Sequence, residues 1–223
     1  MIKINRTGKP SVLQKKETIW VEKIKNASSA DERHKAISKY RHPEIKAFLS
    51  EMFNGKCAFC ESYIENVDYG DIEHFKPKAK FPYEAVIWEN LLLSCKKCNG
   101  AGQKGDEWPL ESEGGLLINP CEEDPNDFFS FEFDAETLVS IVKPKNKRGE
   151  TSERIYGLNK QTLIKDRNQK VRIFVFLASY YNIDPRARTF LDEFIETSGE
   201  YSAFAKMIKE KYVDNASENN QQR

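Results

Sequence analysis

The sequence predicts an α+β chain that is mostly helical, with a small metal-stapled centre between N-terminal and C-terminal helical regions. Three observations predict it. Apolar residues recur at helical spacing in 1–54 and again in 151–213. The middle, 55–120, is broken by Cys, Gly, Pro and Asn, and its apolar runs are too short to bury much surface without a staple. Two Cys-x-x-Cys pairs in that middle supply one. Of the 223 residues, 39% are hydrophobic and 31% charged, enough apolar material for a real core.

In the N-terminal helical arm, 1–54, Ser11 is expected to cap a helix carrying Leu13, Ile19, Trp20 and Ile24, and Asp31 a short one ending near Tyr40. Pro43 suits a first helical position. Ile45, Phe48, Leu49, Met52 and Phe53 follow at i, i+3, i+4, i+7 and i+8, one buried stripe, and Gly55 is placed to stop it. Beyond the centre, 121–150 reads as short strands in an acidic connection. Leu116-Leu117-Ile118 leads in, Phe129, Phe131 and Phe133 alternate, and Leu138 to Val142 follows. In 151–213, Asn159 is expected to cap a long helix with Leu163, Ile164, Val171, Phe174, Val175 and Ala178. Asp184-Pro185 is a cap and first-turn proline for a stripe of Ala187, Phe190, Leu191, Phe194 and Ile195, closed by Gly199. Residues 201–212 add one more helix, and 214–223 is polar and expected to be a disordered tail.

The zero net charge hides an uneven distribution: +6 in 1–54, −2 in 55–110, −9 in 111–142 and +5 in 143–223. A general nucleic-acid coat protein would be basic overall, so any polyanion here must be held by local patches. The −9 stretch is either a solvated face or a surface that docks a basic partner or holds an activity in check. The longest apolar run, Ile173 to Ala178, has six residues, whereas a membrane span needs about 20. No membrane association is expected. The first residues carry no apolar leader core, so a cytoplasmic location is expected. Five cysteines, an odd number, argue against a disulfide framework and for metal-bound thiolates in a reduced compartment.

Cys57 and Cys60 form one pair, Cys95 and Cys98 the other. Two residues between thiolates let one tight turn present both sulfurs to one ion at about 2.3 Å, and two such turns complete a closed tetrahedral zinc site of the structural kind. The 34 residues between the pairs mean that something is built there. A thioredoxin-like redox pair fits less well, because two pairs occur and no βαβ pattern surrounds either. Cys121 lies outside the quartet and reads as a buried or half-buried thiol. Between the pairs lie Asp71-Ile72-Glu73-His74-Phe75-Lys76-Pro77-Lys78 and Trp88-Glu89-Asn90-Leu91, and Asn99 follows the last cysteine. His74, one of three histidines, adjoins a carboxylate inside the stapled segment, which makes it a candidate catalytic base.

This order of Cys-x-x-Cys, acidic-His doublet, Asn-Leu, and Cys-x-x-Cys-Asn with a following Lys resembles the HNH endonucleases over about residues 55–106. The finer wording, EHFKPK followed by WENLLLSCKKCN, with INPCEEDP and a GLN before a long helix, is similar to the HNH nuclease subunit of Septu-type and retron-associated anti-phage systems, which works beside an ATPase subunit. The resemblance implies a ββα-metal core in 55–120, with structural zinc on Cys57, Cys60, Cys95 and Cys98. It implies His74 as general base, Glu73 and Asn99 as ligands of a catalytic Mg²⁺ or Mn²⁺, and Asn90 as the residue that shapes the loop and orients the histidine. The doublet is Glu-His where Asp-His or His-His is commoner, and the last position is Asn99 where His is usual. Both keep the site oxygen-rich, which suits Mg²⁺ or Mn²⁺. Lys76, Lys78, Lys80 and Lys104 are candidate phosphate contacts. The expected substrate is DNA, with weak sequence preference, and the expected partner an ATPase subunit. Two other readings stand beside this one: a zinc-stapled module that binds nucleic acid or a partner without cutting, and a stand-alone restriction-type nuclease.

Overall fold

A computed structural model describes residues 1–64, 70–100 and 102–215. The expected tail lies, from residue 216 on, outside the described residues.

The N-terminal arm folds as three helices. In α1 (Ser11–Lys25) the buried residues are Val12, Leu13, Trp20 and Ile24. Pro10 precedes this helix, so Ser11 is its first residue and caps nothing. Ile19 is 53% exposed, so the buried stripe is narrower than the periodicity suggests. In α2 (Ala30–Ile37) the cap is Ser29, which accepts from the Glu32 amide at 3.2 Å, with Asp31 inside the first turn. A 3-10 turn, Ser38–Arg41, follows and buries Tyr40. Pro43 opens α3 (Pro43–Met52) as expected, burying Ile45, Leu49 and Met52. Gly55 adopts φ 65°, a left-handed conformation that glycine reaches without strain, and its amide returns to the Ser50 carbonyl at 2.8 Å.

The centre holds two antiparallel strands, β1 (Asp71–His74) and β2 (Leu91–Ser94), with His74 opposite Leu91 and Asp71 opposite Ser94. A short helix, α4 (Lys96–Asn99), follows β2. Every residue of β2 is buried. A two-stranded sheet is marginal in water, so this one depends on what covers it.

A second antiparallel pair, β3 (Phe129–Asp134) and β4 (Val139–Pro144), buries Phe129, Phe131 and Phe133 on one face as the alternation requires. Leu116-Leu117-Ile118, in contrast, is no strand. It is irregular backbone pinned to α5 (Lys147–Tyr156): the Ile118 amide donates to Ser152 Oγ at 3.1 Å, and the Tyr156 hydroxyl donates to the Ile118 carbonyl at 2.9 Å. Helix α5 was not anticipated. It begins at the Asn146 cap and ends at Gly157, but it offers only Ile155 and Tyr156 as large apolar residues, too few to make a stripe. In α6 (Gln161–Tyr180) the residue before the helix is Lys160. Asn159 is not its cap; its amide group bridges the Val142 amide (2.9 Å) and carbonyl (2.7 Å) and so ties β4 to the helix start. Asp184 does cap α7 (Pro185–Ile195), accepting from the Arg186 amide at 2.9 Å, although Phe190 of the expected stripe is half exposed. Helix α8 (Ser202–Lys209) continues into a π-helical turn, Glu210–Asp214.

One hydrophobic cluster joins these parts, including Trp20, Leu49, Phe59, Leu92, Phe174 and Phe204. Phe59, between the first two cysteines, stacks on Tyr156 of α5 at 4.1 Å. Lys56 is buried, and its ammonium donates to the carbonyls of Thr197 (2.5 Å) and Gly199 (2.6 Å). Part of the acidic stretch is used internally, with Glu123 paired to Arg148 and Glu132 to Lys143. Among the described residues no helix is long and apolar enough to cross a membrane.

Candidate functional site

The two cysteine turns converge. The ligand atoms of Cys57, Cys60, Cys95 and Cys98 all lie within 4.8 Å of one another, and Cys60 Sγ and Cys95 Sγ are 3.8 Å apart. Four sulfurs each about 2.3 Å from one ion stand about 3.8 Å apart, the edge of the zinc tetrahedron. Backbone bonds shape each turn: the Glu61 amide donates to the Cys57 carbonyl at 3.0 Å, and the amides of Cys98 and Asn99 both donate to the Cys95 carbonyl at 3.1 Å. The Ala58 amide donates to the Leu93 carbonyl at 2.9 Å, which fastens the first turn to β2. Mutual contact with Cys57, and burial, push the Cys60 and Cys98 thiols up. A buried dication is what lets all four ionise together. An all-thiolate donor set of this shape fits Zn²⁺.

A cleft of about 320 Å³ lies beside this staple, lined among others by Tyr40, Asp71, Glu73, His74, Lys78 and Asn99. Strand alternation would send Glu73 and His74 to opposite sides. His74 is the last residue of β1, however, and both residues line the one cleft. Its Nε2 lies 3.0 Å from the Ala85 carbonyl. A carbonyl can only accept, so Nε2 carries the proton and Nδ1 the lone pair. Burial, then the neighbouring Lys78, lowers the His74 pKa to about 4, so the ring is neutral at pH 7. Glu73 is buried and accepts from the Lys104 ammonium at 2.5 Å. Burial outweighs the pairing on both sides, pushing the Glu73 carboxyl up and the Lys104 ammonium down.

Asn90 is buried and closes the loop that follows β1. Its Oδ1 accepts from the Lys76 amide at 2.7 Å, and its Nδ2 donates to the carbonyls of Lys76 and Glu84, each at 3.1 Å. Of the cations expected to meet phosphate, Lys78 lines the cleft and Lys80 is exposed. Lys76 pairs with Glu84 at 2.9 Å. Lys104 is a correction: it is fully buried, and its ammonium is spent on Glu73 and on the His74 carbonyl at 2.6 Å. It sits beneath the doublet, not on a surface. Sequence reasoning missed Tyr40, Asp71 and Asp106 as cleft residues. Asp71 had a signal, because it lies two residues before Glu73 on the same strand. Tyr40 had none, because tertiary packing alone brings it there.

No family model matches the chain. It is 31% identical over 198 residues to Septu protein PtuB of Bacillus mycoides (strain KBAB4), covering 75% of this chain and 66% of that protein. The chain is similar in sequence to PtuB. A second Septu protein PtuB, from Bacillus thuringiensis, is 33% identical over 161 residues, 71% of this chain and 55% of the relative. The chain therefore spans just under two thirds of one PtuB and about half of the other. Septu protein PtuA of the same Bacillus mycoides strain is 23% identical over 167 residues, which cover 63% of this chain and 22% of PtuA.

Proposed function

We propose that this chain is a metal-dependent HNH-type DNA endonuclease, the nuclease component of a Septu anti-phage assembly that includes an ATPase subunit. The observation that carries the reading is His74. It is a buried, neutral imidazole with Nε2 tied to a backbone carbonyl and Nδ1 left as the basic atom, at the edge of a polar cleft and beside a carboxylate. Phosphodiester hydrolysis needs a base of that kind to take the proton from the attacking water.

Glu73 and Asn99 would hold the ion. Among the described residues, the cysteine quartet is the one group of three or more His, Cys, Asp or Glu side chains close enough to share a metal. One carboxylate and one amide leave most of the coordination to water and to substrate phosphate, which is how Mg²⁺ is usually bound. When bound, such an ion neutralises charge on the phosphoryl and leaving oxygens. Asn90 sets the loop, and the zinc staple keeps the doublet in place, since a misplacement of about 1 Å can cost roughly 100-fold in rate. The relatives support the assembly part of the reading, because one strain carries proteins named PtuB and PtuA.

The test is nicking of supercoiled plasmid with Mg²⁺ or Mn²⁺, comparing the parent chain with His74→Ala, alone and with the ATPase subunit added. Nicking by the parent that the variant lacks, at equal zinc content and melting temperature, is expected. Equal nicking by both removes His74 from the mechanism.

A further inference from the structure

One wall of the cleft comes from outside the stapled centre. Tyr40 belongs to the 3-10 turn of the N-terminal arm, 34 residues before His74, yet its ring meets the imidazole edge-to-face with centroids 4.4 Å apart and planes at 80°. The Tyr40 hydroxyl accepts from Arg41 Nε at 3.1 Å. The Arg41 guanidinium carbon lies 5.5 Å from the Tyr40 ring centroid, and Lys78 Nζ lies 5.9 Å from the same centroid. One buried ring thus carries two cations and touches the candidate base. Lys76 and Lys104 are neutralised by Glu84 and Glu73. Arg41 and Lys78, in contrast, form no ion pair among the described residues. Arg41 is exposed, while the ring that orients it is buried.

A phosphodiester approaching His74 must overcome the carboxylates of Asp71 and Asp106, which line the same cleft. Lys78, which lines the cleft, and Arg41, seated on the Tyr40 ring that forms its wall, offset that repulsion, and a guanidinium offers a planar fork that matches two phosphate oxygens. The geometry points to Arg41, held by Tyr40 beside His74, as a DNA-phosphate contact of this site that acts together with Lys78. The N-terminal arm is then part of the substrate surface and not only a support. The inference rests on the nuclease reading, but its test does not depend on cleavage.

In the His74→Ala background, binding of a 20-base-pair DNA duplex would be followed by fluorescence anisotropy from 50 to 300 mM KCl. Each phosphate contact contributes about 0.9 to the slope of log affinity against log salt. Arg41→Ala is expected to reduce the slope by about that amount and to weaken binding several-fold at 100 mM. Lys78→Ala should do the same and add to it, and Arg41→Lys should keep the slope. Lys35→Ala, an exposed lysine of the same arm paired with Asp31, should change it little. On the active chain, Arg41→Ala should raise KM while kcat stays within about threefold. An unchanged slope in Arg41→Ala, an equal loss in Lys35→Ala, or no duplex binding by the His74→Ala protein overturns the assignment. Nicking by the parent with an unchanged Arg41→Ala slope would leave the nuclease reading standing and remove this contact. A reduced slope in a chain that never nicks would do the reverse.

Discussion

Lys104→Met takes the cation out of a buried pair and leaves the carboxylate behind. In the parent protein, Lys104 Nζ bonds Glu73 Oε1 at 2.5 Å and the His74 carbonyl at 2.6 Å, and none of its surface is exposed. Methionine keeps most of the stem's volume, so the cavity contribution is small. What remains is a buried carboxylate with no counter-ion, and breaking such a pair from one side costs about 3–5 kcal/mol. For a chain of this size each kcal/mol moves Tm by about 2–4 °C, so a fall of roughly 6–20 °C is expected in thermal unfolding of the zinc-loaded protein at pH 7.5. Lys104→Met/Glu73→Gln should recover at least half of it, because the stranded charge is gone. The pH dependence follows from the direction of the Glu73 shift. Its carboxyl titrates above the ordinary 4.5 in the fold, and losing Lys104 raises it further. A raised carboxyl favours folding below the unfolded pKa and loses that advantage as pH rises through the folded value. The deficit of Lys104→Met is therefore largest at pH 7.5 and shrinks toward pH 5. A Tm loss under about 2 °C, or a double variant no better than the single one, would refute the reasoning.

Three further outcomes are expected. Metal analysis should find one zinc per chain, lost in Cys95→Ser, with residues 55–106 becoming protease-sensitive before the helical ends; equal resistance of variant and parent contradicts a stapling role. Because the His74 pKa is lowered to about 4, its neutral form dominates at higher pH. The nicking rate should accordingly show no His74 limb between about pH 6 and 8 and should fall only as pH drops toward 4; an acid limb centred near 6.5 counts against this. Asn90→Ala deletes three hydrogen bonds from a buried loop. It should cost about 2–4 kcal/mol and slow nicking more than tenfold, and a stability loss under about 1 kcal/mol in urea unfolding would show the loop to be held by other means.

What the sequence could be read for divides along physical lines. Local codes were legible: Pro43 and Asp184-Pro185 act within a single turn, and the Phe129, Phe131, Phe133 alternation needs only its own strand. The quartet was legible because its spacing is a property of the ligand turns. Elements fixed by distant partners were not. Helix α5 has almost no apolar stripe and is held by the 116–118 segment, so local periodicity reveals neither the helix nor the irregular course of 116–118. Asn159 looks like a cap because it is an Asn before a helix, yet its amide is claimed by Val142. Lys104 looks like a surface cation, as most lysines are, until its buried pairing with Glu73 is seen. In the candidate site the doublet, Asn90 and Asn99 are pointed to by resemblance to a family pattern, whereas Tyr40 and Arg41 arrive only through tertiary packing.

The Lys56 latch has a consequence in time. Lys56 adjoins the first cysteine turn, and its acceptors at Thr197 and Gly199 come 141 and 143 residues later. At about 5–20 residues per second of synthesis, roughly 7–30 s pass before the ribosome delivers them. Throughout that interval the first turn exists without the backbone that anchors it to the C-terminal layer, and it matures only after residue 199 emerges. Nascent chains arrested at residue 190 should be cut by protease near 55–64, where released chains resist. The first cysteine turn is thus the part of the centre secured last, once the C-terminal layer has been made.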